Sequence, residues 1–250
     1  MGTVALAAVH TKYNLLETAR VPIAVIGSLA FPTLAFCLFV LPQRAVTGDP
    51  AFAAAAVASM VVFAFMSAGL FSIGIDLADQ RAKPWAPFLR TLPGSPAARI
   101  IGLIAATLVV SIVAMIPLLI VGGLFTSAAP APLDLLAAIG LVVLTAIPSQ
   151  LIGFIIGTTC GPKAAIAVTQ VAMFVLAFGG GLFLPPLLFP QWLDVASMVL
   201  PIRQAREIVV GAVLGTGVPL WAVLGIIAWT LVLAALAVFL YRRDEGRRYR

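Results

Sequence analysis

The sequence predicts an all-α integral membrane protein whose single domain, residues 1–250, crosses the bilayer six times. Three observations carry that reading. Of the 250 residues, 62% are hydrophobic and only 10% are charged, and the mean hydropathy is +1.16, a balance suited to lipid rather than water. Continuous apolar runs near the ~20 residues needed to cross a hydrocarbon core occupy 21–41, 51–75, 100–125, 133–159, 164–184 and 218–241. They are too long and too unbroken for barrel strands, which alternate over about 10 residues. The basic residues are one-sided. Twelve of the fifteen Lys and Arg lie before the first run, after the second, after the fourth or in the tail, and only Arg44, Arg203 and Arg206 lie on the other side. The positive-inside rule then places both termini in the cytoplasm of a multi-pass protein of the cell membrane. The formal charge of +6 follows from this asymmetry. The charges sit at span ends, where anionic lipid head groups attract them, and no aromatic-basic patch accompanies them, so nucleic acid is not a partner.

Ahead of the first run, residues 1–20 carry Leu6, Val9, Tyr13 and Leu16 along one helical face, with Lys12, Asn14, Glu17 and Arg20 elsewhere on the wheel. This is the pattern of a helix lying in the inner interface. The first run itself is too long and begins too late for an ordinary signal peptide. Cys37 and Cys160 fall near opposite faces of the bilayer and do not form a disulfide pair.

The loop at 76–99 is the largest cytoplasmic element. It mixes Arg81, Lys83, Arg90 and Arg99 with Trp85, Phe88 and Leu89. Pro84 and Pro87 suit the first turn of a short helix, which Pro93 and Pro96 would end. Aromatic and apolar side chains beside charges describe a docking surface, although Trp85 also fits as an interfacial anchor. In the spans, Pro117 and Pro148 predict kinks. Gly153, Gly157 and Gly161, four residues apart, predict close helix packing. Gln150 and Gln170 are read as partners in interhelical hydrogen bonds or as residues of a substrate path.

The stretch "GGGLFLPPLLFPQWLDVASMVLPIRQAREIVVGA", Gly179 to Ala212, is too apolar for a solvated loop and too rich in proline for a spanning helix. Its charged end holds Arg203, Arg206 and Glu207, with Arg203 and Glu207 spaced to pair at i,i+4 and Arg206 and Glu207 expected to stay wet.

Enzyme readings find little support. His10 is the lone histidine, no metal-ligand cluster is spaced for binding, and Asp76 and Asp79 alone make a poor divalent-metal site. No Gly-rich phosphate loop is present. No span carries an ionisable residue near its centre, which disfavours a proton- or sodium-coupled carrier.

The order of elements resembles the permease subunits of type-2 ABC exporters over essentially all 250 residues. The most specific stretches are "LFLPPLLFPQWLDVASMVLPIRQAREIV" and "RTLPGSPAARIIGLI". What the resemblance implies is concrete. Residues 184–212 would form a re-entrant helical hairpin that narrows the outer end of a path, with Phe189, Trp192, Leu193, Leu200, Arg203, Arg206 and Glu207 as an outer gate. Arg81, Lys83, Trp85, Phe88, Leu89 and Arg90 would form the coupling helix that docks on a cytoplasmic ABC ATPase, where ATP and Mg would bind; the chain itself would carry no cofactor. The second and fifth spans would line a path shared with a second permease, as a homodimer or heterodimer. The cargo would be lipophilic or amphipathic: a drug, an antibiotic or a lipid. The residues alone also leave open a membrane-embedded enzyme and a channel or scaffold that needs no ATPase.

Overall fold

The computed structural model describes residues 3–20, 22–84, 96–128 and 132–246, and the side chains of all these except 22–29, 45, 96, 97, 132 and 241–246. Among the described residues the structure is helical, without strands. Five helical stretches are long and apolar enough to cross a membrane: 50–82, 98–125, 133–159, 162–179 and 220–240. The run expected at 21–41 is helix α2, Pro22–Phe39.

Each long helix begins and ends for local reasons. Helix α1 (Thr3–Ala19) precedes α2, and a four-residue helix, α3 (Arg44–Thr47), turns the chain. Asp49 then caps α4 (Pro50–Ala68), accepting from the Ala51 and Phe52 backbone N–H groups at 2.9 and 3.0 Å. Pro50 occupies the first turn, where its missing N–H costs nothing. A π-helical turn at Gly69–Ile73 follows, and α5 (Gly74–Ala82) continues the same rod. Helix α6 (Pro96–Phe125) again starts on a proline. The fourth expected span is two helices, α7 (Pro132–Thr145) and α8 (Ile147–Thr159), parted at Ala146. The break falls two residues before Pro148, whose ring and missing donor disrupt the preceding turn.

Helix α9 (Pro162–Gly179) stops before 184, where that span was expected to end. Gly181 has φ 75°, a left-handed turn open to glycine at little cost. A 3₁₀ turn (Pro186–Leu188), a short helix α10 (Gln191–Ser197) and α11 (Pro201–Val213) then lead to α12 (Leu220–Gly246).

The rod α4–α5 is the centre of the bundle. Met60, Phe63, Phe65, Met66, Leu70 and Ile73 along it are fully buried. The glycine spacing in α8 does what it predicts at two of three positions: a Cβ at Gly153 would strike the Gly69 carbonyl oxygen, and one at Gly157 would come within 3.0 Å of the Gly74 carbonyl oxygen. Gly161 meets nothing, because α8 has ended and Gly161 caps α9.

Helix α1 packs along α6 with Ala7, His10 and Thr11 beside Gly102. That contact face is set by small and polar residues. Of the four apolar positions of its sequence pattern, Leu6 is half-buried, whereas Val9, Tyr13 and Leu16 are exposed.

Candidate functional site

The two regions singled out in the sequence lie at opposite ends of the α4–α5 rod. Ser59 of α4 touches the broken segment, and Arg81 lies in the last turn of α5, within the 76–99 stretch. At 1.5 Å per residue they are roughly 33 Å apart along the helix, about the thickness of a hydrocarbon core.

At the Arg81 end, the guanidinium Nη1 donates to the Gly157 carbonyl oxygen at 2.9 Å and also to that of Thr158. These are carbonyls at the C-terminus of α8, which lack helical partners and carry negative dipole charge. Arg81 therefore ties the start of the loop to a neighbouring helix. Lys83 pairs with Asp79 at 3.2 Å, and Arg99 donates to Gln80 at 3.1 Å. Trp85, Phe88, Leu89 and Arg90, together with the short helix expected there, lie outside the described residues.

The Ser59 end is a buried ion cluster. Arg203 and Arg206 are each 7% exposed. The Arg203 Nε donates to Glu207 Oε1 at 3.0 Å, the i,i+4 pair that the spacing predicts. Its Nη1 donates to Asp194 Oδ1 at 3.0 Å and to Ser197 Oγ at 2.9 Å. Arg206 does not stay wet as expected. It turns into the bundle, where Nε donates to Ser59 Oγ at 3.0 Å and Nη1 to Glu207 Oε1 at 2.8 Å. Burial pushes the Arg206 pKa below the usual guanidinium value, and the Glu207 carboxylate opposes that shift. The reason for the inward turn is that α11 has most of its residues buried between α4 and α7. A cation so placed persists only when hydrogen-bonded and paired. Two guanidiniums share one Glu207 oxygen, and Asp194 supplies the second negative charge.

The other residues expected at an outer gate take different positions. Phe189 lines a cavity against the ion cluster. Leu200 packs over Gly179, Leu193 is half-buried, and Trp192 points outward, 72% exposed. Asp194, Ser197 and Ser59 were missed in the sequence. Asp194 and Ser197 sit one turn apart on α10, but nothing local links them to Ser59.

Gln150 and Gln170 are not brought together. Gln150 is fully buried between α8 and α4, its Nε2 3.5 Å from the Phe65 carbonyl oxygen. That carbonyl also accepts from the Gly69 backbone N–H. Gln170 lies on the exposed side of α9. The rod α4–α5, expected to line a shared path, is 78% buried over its most apolar stretch by the chain's own helices, whereas α9 is 28% buried. Among the described residues no three His, Cys, Asp or Glu side chains gather as a metal site, and Cys37 and Cys160 are free thiols.

Apolar helices of spanning length around a paired polar interior define a multi-pass helical membrane protein, and the fold fits a membrane permease. No family model matches the sequence. Over 193 residues the chain is 24% identical to the protein named "Putative transport permease YvfS" in Bacillus subtilis (strain 168), a match that covers 75% of this chain and 77% of that one.

Proposed function

We propose that the chain is the membrane-spanning permease subunit of an ATP-driven ABC exporter. It works with a cytoplasmic ABC ATPase, which binds ATP and Mg, and with a second permease that completes the path. The similarity to a transport permease supports the general class. The single observation that carries the finer reading is the arrangement of the rod. A proline-broken, charge-bearing segment is packed into one end, and the basic loop at 76–99 leaves the other end.

On this reading α2, with 18 residues and about 27 Å of rise, is the first of six crossings, and α1 lies at the inner interface with Val9, Tyr13 and Leu16 toward lipid. The segment 184–212 is a re-entrant hairpin at the outer face. Irregular backbone is tolerated at membrane depth only where protein covers it or it lines a cavity; α11 is covered by the bundle, and Gly181, Pro185, Pro186 and Phe189 of the irregular stretch line a cavity. Phe88 and Leu89 anchor the coupling helix in the ATPase, and Arg81, by holding the C-terminus of α8, passes the loop's movement to the bundle. The open face of α9, with Ile166, Val171, Phe174 and Val175 exposed, meets the second permease. Each nucleotide state of the ATPase must favour one permease conformation to drive transport. The cargo is lipophilic or amphipathic.

Affinity purification of the full chain in mild detergent, from its native host, tests the reading. A stoichiometric ATPase that loses its stimulation or its association in Phe88→Asp is the expected result. Repeated purification without an ATPase, or wild-type stimulation and transport in Phe88→Asp, would overturn it.

A further inference from the structure

The ion cluster also forms the floor of a cavity of about 600 Å³, a volume typical of small-molecule sites, which run from about 300 to 1,000 Å³. The cavity lies between the α2–α3 corner, the start of α4, the 181–191 turn and α11. Its polarity is inverted relative to a water-filled vestibule. Arg203 and Arg206 are buried at the floor with Ser59, and Asp194 and Glu207 stand beside them. The rim carries Phe52 and Leu187, both large, apolar and exposed. An exposed apolar rim meets acyl chains at no cost, while a charged floor needs a polar partner.

The floor offers both signs. Arg203 uses Nε and Nη1, and Arg206 uses Nε and Nη1, so the Nη2 of each guanidinium is left over by the described hydrogen bonds. Glu207 accepts through Oε1 and Asp194 through Oδ1, which leaves the second oxygen of each carboxylate. None of these four atoms is sealed away from solvent without a partner. A purely anionic head group placed here meets two carboxylates, and a purely cationic one meets two guanidiniums. A group carrying both signs satisfies the spare donors and acceptors without splitting the Arg203–Glu207 pair.

We propose that this cavity is a head-group site for a zwitterionic, phosphate-and-ammonium amphiphile, with the phosphate toward Arg203 and Arg206, the ammonium toward Asp194 and Glu207, and the acyl chain leaving past Phe52 and Leu187. Occupancy of the site stands on the cavity alone; that its occupant is the transported cargo rests on the exporter reading.

The test uses the purified full-length chain in a maltoside detergent, with radiolabelled lysophosphatidylethanolamine as the probe. Monoacylglycerol, alkyl phosphate and alkyltrimethylammonium of the same chain length are the competitors. Each competitor is expected to bind roughly tenfold or more weakly than the probe. Ala56→Trp fills the cavity wall and reduces binding by a similar factor, while Leu231→Trp, on the exposed face of α12, leaves it unchanged. Leu187→Asp puts a charge at the exposed rim, carries the same expectation, and decides the matter if Ala56→Trp does not fold. Equal affinity for monoacylglycerol shows that only the chain is bound and overturns the proposal, as does equal affinity for alkyl phosphate, which reduces the site to an anion site. Binding unaffected by both cavity variants also overturns it. Selective binding by a chain that never associates with an ATPase leaves the head-group site standing and removes the exporter reading.

Discussion

Helices α11 and α12 are neighbours in sequence and opposites in environment. Helix α11, "PIRQAREIVVGAV", holds two arginines, a glutamine and a glutamate within five residues, yet all but two of its thirteen residues are buried. Helix α12 is apolar through 220–240, yet only 17% of its most apolar stretch is buried. In a water-soluble domain the two would exchange places. In lipid an apolar side chain gains nothing by moving inward, whereas an unpartnered polar group is costly outside. The polar helix therefore seeks the interior, and the apolar one is free to face acyl chains. Gly225 of α12 leaves room for the Gln204 side chain of α11, and in the turn just before α11 the Val199 carbonyl oxygen accepts from the Trp229 Nε1 at 2.7 Å.

If pairing is what holds α11 inside, breaking it produces the largest effect. Arg203→Ala strips the guanidinium from Asp194, Ser197 and Glu207 and should cost roughly 3 kcal/mol or more, seen as a lowered midpoint of unfolding in detergent. A midpoint near wild type means that apolar packing alone holds the helix. Gly153→Val sharpens the same contrast where α8 meets the rod with no side chain between. Overpacking against the Gly69 carbonyl should cost about 1–3 kcal/mol, read in the same titration, and a neutral outcome means that α8 can move away without loss.

Smaller effects are expected on α12. Trp229→Phe removes the hydrogen bond to Val199 and should cost about 1 kcal/mol; the sharper readout is faster proteolysis near Val199 as the 198–200 turn loosens. Leu231→Ala, on the exposed face, should stay within about 0.5 kcal/mol of wild type. A loss above 2 kcal/mol there means that the face is covered, and crosslinking through Leu231→Cys then identifies a second copy as the cover.

The apolar runs were legible because crossing a bilayer sets both length and composition. The run at 51–75 matches the rod at 50–82, and the run at 100–125 matches α6. The stop at Gly179 was less legible, since the apolar stretch continues through Phe183 and only the conformation of Gly181 marks the turn. Within the site, Arg203 and Glu207 were readable because i,i+4 spacing is local. Ser59 was not, because it meets Arg206 across 147 positions of sequence. Asp194 and Ser197 reach Arg203 only after the 198–200 turn reverses the chain. The wet Arg206 of the sequence reading failed for the same reason: the spacing shows that a carboxylate is near, and only packing shows which side of the helix is covered.

What the sequence by itself determined is the solvent, the all-helical class, and the proline-broken interruption before α12, because each follows from composition and local backbone chemistry. Only the tertiary structure decided that α4–α5 is the central rod, that Arg203 and Arg206 turn inward, and that a charged-floored cavity opens beside them. Those outcomes depend on which distant groups meet, and in a bilayer the pairing of polar groups selects among packings that apolar surface alone leaves nearly equal in energy.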